Sequence, residues 1–287
     1  MRSFRTSATI FRLRRGDDMN FHNDDFIMGR VQQHYNDALK YFPENRIVCL
    51  VLQGSQNYGL DVHSSDVDTR LIVCPEFYDL AMNRQPVSTT HIRQNDEHID
   101  FKDVRLALQL FKKQNLNFLE CLFSPYSIVN PFFADEWNKL LEAREEIARY
   151  NPIQAVKSMQ GLAHTKYKQL EHDSPAHADD IQKYGYSPKE FHHLLRIEEY
   201  IARYIKGEPY ADCIVSNMPA TLKEVKCGVW DLYEVRERAE NAIARIDSMA
   251  DKFSRTCDNV VNTKIDALLA NVQYKIMEFA IKKELGD

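Results

Sequence analysis

Two aspartates two residues apart, Asp66 and Asp68, follow a Gly54-Ser55 pair that closes an apolar run, and the chain's chemistry starts from this spacing. On an extended strand, side chains two apart share a face, so Asp66 and Asp68 point one way while Val67 points into the core. Two carboxylates held side by side repel, and one takes up a proton unless a cation sits between them. Mg2+, or Mn2+ in its place, suits such a pair, because it accepts a few carboxylates and completes its shell with water and phosphate oxygens. Asp-x-Asp alone is usually a solvated turn. Here it follows an apolar strand, a Gly-Ser turn, Gly59 and Ser64-Ser65, and the compound pattern carries the reading. Gly54 allows close backbone approach to a phosphate, and Ser55 adds a hydroxyl and an amide at the start of a short helix.

A third carboxylate lies in Glu97-His-Ile-Asp-Phe101. Strand parity puts Ile99 and Phe101 on one face and Asp100 on the other, where a neighbouring strand would set it beside Asp66 and Asp68. Three carboxylates can hold two divalent ions about 3.5–4 Å apart, clamping the attacking and leaving oxygens of an in-line phosphoryl displacement. Asp103 competes but fits the N-cap of the next helix, and Asp96 and Glu97 fit the turn before the strand. Arg70 shares the parity of Asp66 and Asp68, so it pairs with one of them or reaches a phosphate. Further on, Lys189, His193 and Arg196 fall at i, i+4 and i+7 and line one helix face, with Leu194, Leu195 and Ile201 turned away. Such a face suits triphosphate oxygens, although a solvated surface is the commoner fate of these residue types. Tyr58, in the same loop as Ser55, is a possible stacking platform and a weak one among fourteen tyrosines. Trp137 and Trp230 read as core or interface anchors.

The elements that must position these groups follow from pattern. Helical spacing of Phe26, Val31, Tyr35 and Leu39 predicts a helix between Met19 and about Tyr41, broken at Pro43. Arg46–Gln53 predicts a strand covered on both faces, Asp66–Cys74 a second and Glu97–Phe101 a third, with a helix at Val104–Gln114. Past Pro125 the pattern is helical throughout, over 131–150, 152–171, 188–206, 222–227, 233–250 and 260–284, with a polar loop over 172–187. The fold class expected is α+β. A small domain of strands and helices over 19–125 precedes an all-helical domain over 126–287, and 1–18 forms a basic tail or leader.

Composition bounds the rest. The chain has 287 residues, 44% hydrophobic and 28% charged, with a net charge of −5. Its longest apolar run, Ile47–Leu52, is too short to cross a bilayer, so no membrane role is expected. The tail, with Arg2, Arg5, Arg12, Arg14 and Arg15 against Asp17 and Asp18, carries +3 and leaves −8 on the body. That balance argues against a broad nucleic-acid-coating surface. Six scattered cysteines without a C-x-x-C pair suit a reducing cytoplasm and no zinc site.

Gly54-Ser55 followed by Asp66-x-Asp68 resembles the signature of the DNA polymerase β-like nucleotidyltransferase superfamily. More narrowly, Gly54-Ser-Gln-Asn-Tyr-Gly59, Ser65-Asp-Val-Asp-Thr-Arg70 and Asn117-Phe-Leu-Glu-Cys-Leu-Phe-Ser-Pro125 resemble the RNA repair pathway DNA polymerase β family of nucleotidyltransferases. Lys189-x-x-x-His193-x-x-Arg196 is similar to that family's second motif, and the likeness spans roughly residues 45–250. Leu71 departs conservatively from the Gly or Val that often follows the arginine. The resemblance implies a mixed-sheet core in which Asp66 and Asp68 bind metal and Asp100 assists deprotonation of the attacking hydroxyl. It also implies an NTP donor, ATP by first choice, and pyrophosphate as leaving group. Gly54, Ser55, Ser65, Arg70, Lys189, His193 and Arg196 would bind the NTP. The acceptor is an RNA or tRNA end, or a hydroxyl of a partner protein. The rival class is a non-catalytic NTP-binding regulatory module or antitoxin-like partner.

Overall fold

The computed structural model describes residues 21–175, 177–258 and 261–286. In chain order the elements are α1 (Asp24–Ala38), β1 (Ile47–Gln53), β2 (Asp68–Val73), α2 (Phe77–Ala81), β3 (Ser88–Ile92), β4 (His98–Asp103), α3 (Val104–Lys112), α4 (Leu116–Leu119) and β5 (Ser127–Val129). Among the described residues, helices then follow without further strands: α5 (Ala134–Glu142), α6 (Arg144–Ala148), α7 (Pro152–Gln169), α8 (Ala178–Tyr184), α9 (Pro188–Tyr204), α10 (Tyr210–Ile214), α11 (Pro219–Lys226), α12 (Leu232–Thr256) and α13 (Thr263–Leu285). The class is α+β, as expected. The residues 1–18 assigned to a tail lie outside those described.

The five strands form one mixed sheet in the order β3-β4-β2-β1-β5. β2 and β4 run parallel, and the other neighbours run antiparallel. β1 is buried along nearly its whole length because its seven residues are apolar up to Gln53, which suits a strand covered on both sides. One face of the sheet presents Leu50, Leu52, Leu71, Val73, Ile99 and Phe101, which form a core with Ile27, Val31, Tyr35 and Ala38 of α1. Val67 joins this core, as its parity predicts. α1 starts where Asn23 accepts a hydrogen bond from the Phe26 amide, and Asp24 and Asp25 favour the positive end of its dipole.

Several elements differ from expectation. β3, with the sequence Ser-Thr-Thr-His-Ile, is exposed at the sheet edge and lacks the apolar alternation that marks a strand. β5 is only three residues long. The single helix expected over 131–150 is a 3-10 turn at Pro131–Phe133 followed by α5 and α6, which break at Ala143. The expected loop over 172–187 holds α8, ended by Gly185 in the left-handed conformation at φ 79°.

The described residues divide into two compact units. The first comprises residues up to Phe111, Asn117–Ile147 and the chain from Thr263 onward, so it holds the sheet, and α13 packs on α5. The second comprises Lys112–Leu116 and Ala148–Asn262, in which α7, α11 and α12 pack around α9. α9 is buried on most sides through Phe191, Leu194, Leu195, Ile197, Tyr200 and Ile201. Trp137 is buried and Trp230 stacks edge-on against Phe191. Cys49, Cys74, Cys121 and Cys213 are buried thiols. Among the described residues, no helix is long and apolar enough to cross a membrane.

Candidate active site

β1 leaves the core at Gln53, which pairs with Asp68 at the start of β2. Between them the chain turns through Gly54, at φ 92° and ψ −163°, into a 3-10 helix at Ser55–Tyr58. Only glycine adopts that backbone without strain. The turn closes through the Asn57 amide on the Gly54 carbonyl and the Leu60 amide on the Ser55 carbonyl. Asn57 fastens it to the sheet by donating to the Leu52 carbonyl at 2.9 Å, and the Ser124 hydroxyl donates to Asn57 at 2.7 Å. Gln56 reaches across and donates to the Asp66 carbonyl at 2.6 Å. Gly54, Ser55, Asp66 and Asp68 therefore gather at one end of the β1–β2 pair. Ser65 completes the approach, its hydroxyl accepting from the Val62 amide at 2.9 Å.

The three carboxylates meet different surroundings. Asp66 is exposed, one residue before the buried Val67. Asp68 accepts the His98 amide on Oδ1 at 2.8 Å, and His98 Nδ1 stands 3.2 Å from the same oxygen. Asp100 lies on the face of β4 that its parity predicts. The parallel register sets it opposite Arg70, so it sits one pleat deeper than Asp68. Arg70 Nε donates to Asp100 Oδ2 at 3.0 Å, and Lys102 Nζ lies 3.1 Å from Oδ1. Arg70 also donates to the Asn117 carbonyl at 2.7 Å and stacks over Phe118 at 3.7 Å.

Beneath this face lies a buried polar network that the sequence reading did not assemble. His34 of α1, fully buried, bonds Thr69 through Nδ1 and Glu97 through Nε2, both at 2.8 Å. Glu97 also takes Arg30 at 2.5 Å and Arg93 at 2.8 Å. Burial would raise the pKa of Glu97, but hydrogen bonds from His34, Arg30 and Asn95 outweigh it and bring it down to about 2. Glu97 lies in the turn before β4, as expected, where its carbonyl accepts the Arg93 amide, and its carboxylate is a structural anchor as well. Asp103 does cap α3, accepting the Arg105 amide at 2.8 Å. Tyr58 is no stacking platform: it is buried, and its hydroxyl donates to Glu120 at 3.0 Å. The residue missed in the site itself is His98, which shares strand parity with Asp100 and was legible by that rule alone.

Lys189, His193 and Arg196 all belong to α9 in the second unit, but not as an open cationic face. Lys189 is exposed, His193 half-buried and Arg196 buried. Desolvation, then the neighbouring His192, Lys166, Arg196 and Lys189, hold the His193 pKa well below its usual value, so its imidazole is neutral at pH 7. Lys166 pairs with the buried Glu190 at 3.0 Å.

A divalent cation is tested by the donors present. The exposed Asp66 and the half-buried Asp68 supply hard carboxylate oxygens, and Asp68 Oδ2 has no hydrogen-bond or ion-pair partner among the described residues. That donor chemistry fits Mg2+ or Mn2+. Asp100 meets two cations instead. No group of three or more His, Cys, Asp or Glu among the described residues is placed to hold a metal ion.

Residues 27–197 match the model of a family described as the RNA repair pathway DNA polymerase beta family. No curated protein matches the chain. Among solved structures, a nucleotidyltransferase-like protein from Exiguobacterium sibiricum 255-15 is similar at 9% identity, covering 79% of this chain and 75% of that one with a TM-score of 0.32.

Proposed function

The chain belongs to the RNA repair pathway DNA polymerase beta family, and from that premise we propose that it is a metal-dependent nucleotidyltransferase moving AMP from ATP to a hydroxyl. The observation that carries this is the gathering of Gly54-Ser55 with Asp66 and Asp68 at one end of the β1–β2 pair. An acceptor oxygen attacks the α-phosphorus, the bond from that phosphorus to the bridging oxygen breaks, and pyrophosphate leaves with its electrons. Asp66 and Asp68 would hold one or two divalent ions, Mg2+ or Mn2+, which supply charge stabilisation at the phosphoryl oxygens.

The remaining roles belong to the chain's own groups. Gly54 keeps the turn backbone clear of a side chain, and Ser55 and Ser65 offer hydroxyls to phosphate. Asp100, oriented by Arg70, is the proposed acceptor of the hydroxyl proton. We assign Lys189, His193 and Arg196 to the NTP phosphates on their chemistry. Lys189 and Arg196 offer ammonium and guanidinium donors, and His193 contributes a hydrogen-bonding ring. The acceptor we favour is an RNA or tRNA end, which accords with the family's description. A partner-protein hydroxyl is the other outcome of the test.

Purified protein with α-labelled ATP, Mg2+ and a cell lysate should yield labelled product destroyed by RNase and resistant to protease. Asp66→Asn and Asp68→Asn should each abolish labelling while keeping the wild-type melting temperature. One observation favours a non-catalytic NTP-binding role, namely the two cations already on Asp100. ATP binding with no label transferred to any acceptor would establish that reading instead.

A further inference from the structure

The site contains a residue that neither the motifs nor the family match assigns. His98 opens β4, two residues before Asp100, so it shares the face that carries Asp68, Arg70 and Asp100. It meets Asp68 twice, through its backbone amide at 2.8 Å and through Nδ1 at 3.2 Å, and both contacts fall on Oδ1. The other oxygen, Oδ2, is left without a partner among the described residues.

We propose that His98 is a positioning residue for Asp68, fixing the plane of its carboxylate through Oδ1 and leaving Oδ2 as the oxygen offered to cation or substrate. The proposal rests on the reading of Asp68 as a functional carboxylate. A carboxylate on a strand end rotates freely about two side-chain bonds unless something grips it. One backbone hydrogen bond restrains an oxygen in position but allows the carboxylate plane to turn about that contact. A ring nitrogen at the same oxygen removes that freedom, as groups behind metal ligands commonly do.

The grip needs a rigid mount, and the structure supplies one. Thr69 follows Asp68 and Glu97 precedes His98, and the buried His34 bonds both at 2.8 Å. Arg30 and Arg93 hold the same Glu97 carboxylate. One imidazole in the core thus ties the neighbours of both partners, so Asp68 and His98 keep their spacing without relying on the exposed loop at 62–66. His98 is itself 42% exposed at its side chain, so replacing it removes the ring without opening the core.

The test compares wild-type protein with His98→Leu and His98→Asn, measuring kcat and KM for AMP transfer from ATP, Mn2+ affinity by electron paramagnetic resonance, and melting temperature. The Leu variant should lose about 10- to 100-fold in kcat or in Mn2+ affinity, the range for groups that orient metal ligands, with KM for ATP and melting temperature unchanged. Asn carries an amide N–H near the place of Nδ1 and should recover most of that loss. Wild-type kcat and Mn2+ affinity in the Leu variant would overturn the proposal, and so would an Asn variant no better than Leu. If wild-type protein transfers no AMP, the transferase reading fails by itself. A weaker Mn2+ affinity in His98→Leu would then still support the positioning role.

Discussion

Arg70 and Asp100 stand opposite each other in the parallel register of β2 and β4, and a 3.0 Å contact between Nε and Oδ2 closes the pair. Both side chains are largely buried, and Arg70 extends the link to the Asn117 carbonyl and the Phe118 ring. The arginine therefore joins the two strands bearing the proposed carboxylates to the Asn117–Pro125 segment. Its guanidinium serves the fold and Asp100 before it serves any ligand.

Removing Arg70 leaves the largely buried Asp100 with Lys102 as its remaining ion-pair partner among the described residues, and breaks the link to Asn117 and Phe118. Arg70→Ala should cost about 3–5 kcal/mol in urea unfolding, the usual toll for breaking a buried ion pair from one side. Arg70→Lys keeps the charge but loses the planar fork and the ring stacking, so it should fall between. An alanine variant as stable as wild type would show that Asp100 finds other support.

Gly54 should be sensitive for a backbone reason alone. An added Cβ would meet nothing closer than Gln56 Oε1 at 3.6 Å, so there is room, but φ is 92°. Gly54→Ala should then cost about 1–3 kcal/mol through conformational strain. The turn would relax by shifting Ser55 away from Asp66, so AMP transfer should fall further than stability does. Calorimetry beside a transfer assay separates the two.

What was legible in the sequence follows from which forces act locally. The apolar β1 run and the Gly-Ser turn are set by neighbours in the chain and stand where the pattern placed them, whereas β2 opens only at Asp68, so strand parity covers Asp68 and not Asp66. β3 was invisible because an edge strand of Ser, Thr and His draws its stability from pairing with β4, not from burial. Asp100 was given the right face but not its partner, because parity fixes direction while register fixes neighbours. The His34–Glu97 bond joins residues 63 apart, and no local pattern reports a contact at that separation. Arg196 looked like a surface cation at helical spacing, yet α9 is enclosed on nearly every side by α7, α11 and α12.

Tyr58 separates a structural role from a stacking role. Its hydroxyl donates to the buried Glu120 at 3.0 Å, joining the Ser55–Tyr58 turn to the Asn117–Pro125 segment. Tyr58→Phe keeps the ring and removes the hydroxyl that bonds Glu120, so it should lower stability by about 1–3 kcal/mol. KM for ATP should stay within about twofold, a change worth under half a kcal/mol. A large rise in KM without loss of stability would restore the base-stacking role.

Acid should destabilise the protein in two stages, the upper one set by His192 together with the adjacent His193 and the lower one by Glu97. His192 is buried, and its Nδ1–H donates to the Leu222 carbonyl at 2.9 Å. Burial lowers its pKa to about 4 from the usual 6.5, against the opposing Leu222 bond, with smaller lowering effects from Lys226 and Arg196. The unfolded chain binds this proton first as pH falls, so the stabilisation is complete above about 6.5 and is lost on the way down to about 4. Glu97 acts lower: its folded pKa of about 2 against the usual 4.5 means its contribution is complete above about 4.5 and lost towards about 2. At 1.36 kcal/mol per pH unit, the His192 and Glu97 shifts are each worth about 3 kcal/mol. Melting temperature followed from pH 7.5 to 2.5 should therefore decline in two successive limbs. His192→Asn, which retains an N–H for Leu222, should make the upper limb shallower, and Glu97→Gln should flatten the lower one. Unchanged limbs in both variants would place the acid sensitivity elsewhere in the chain.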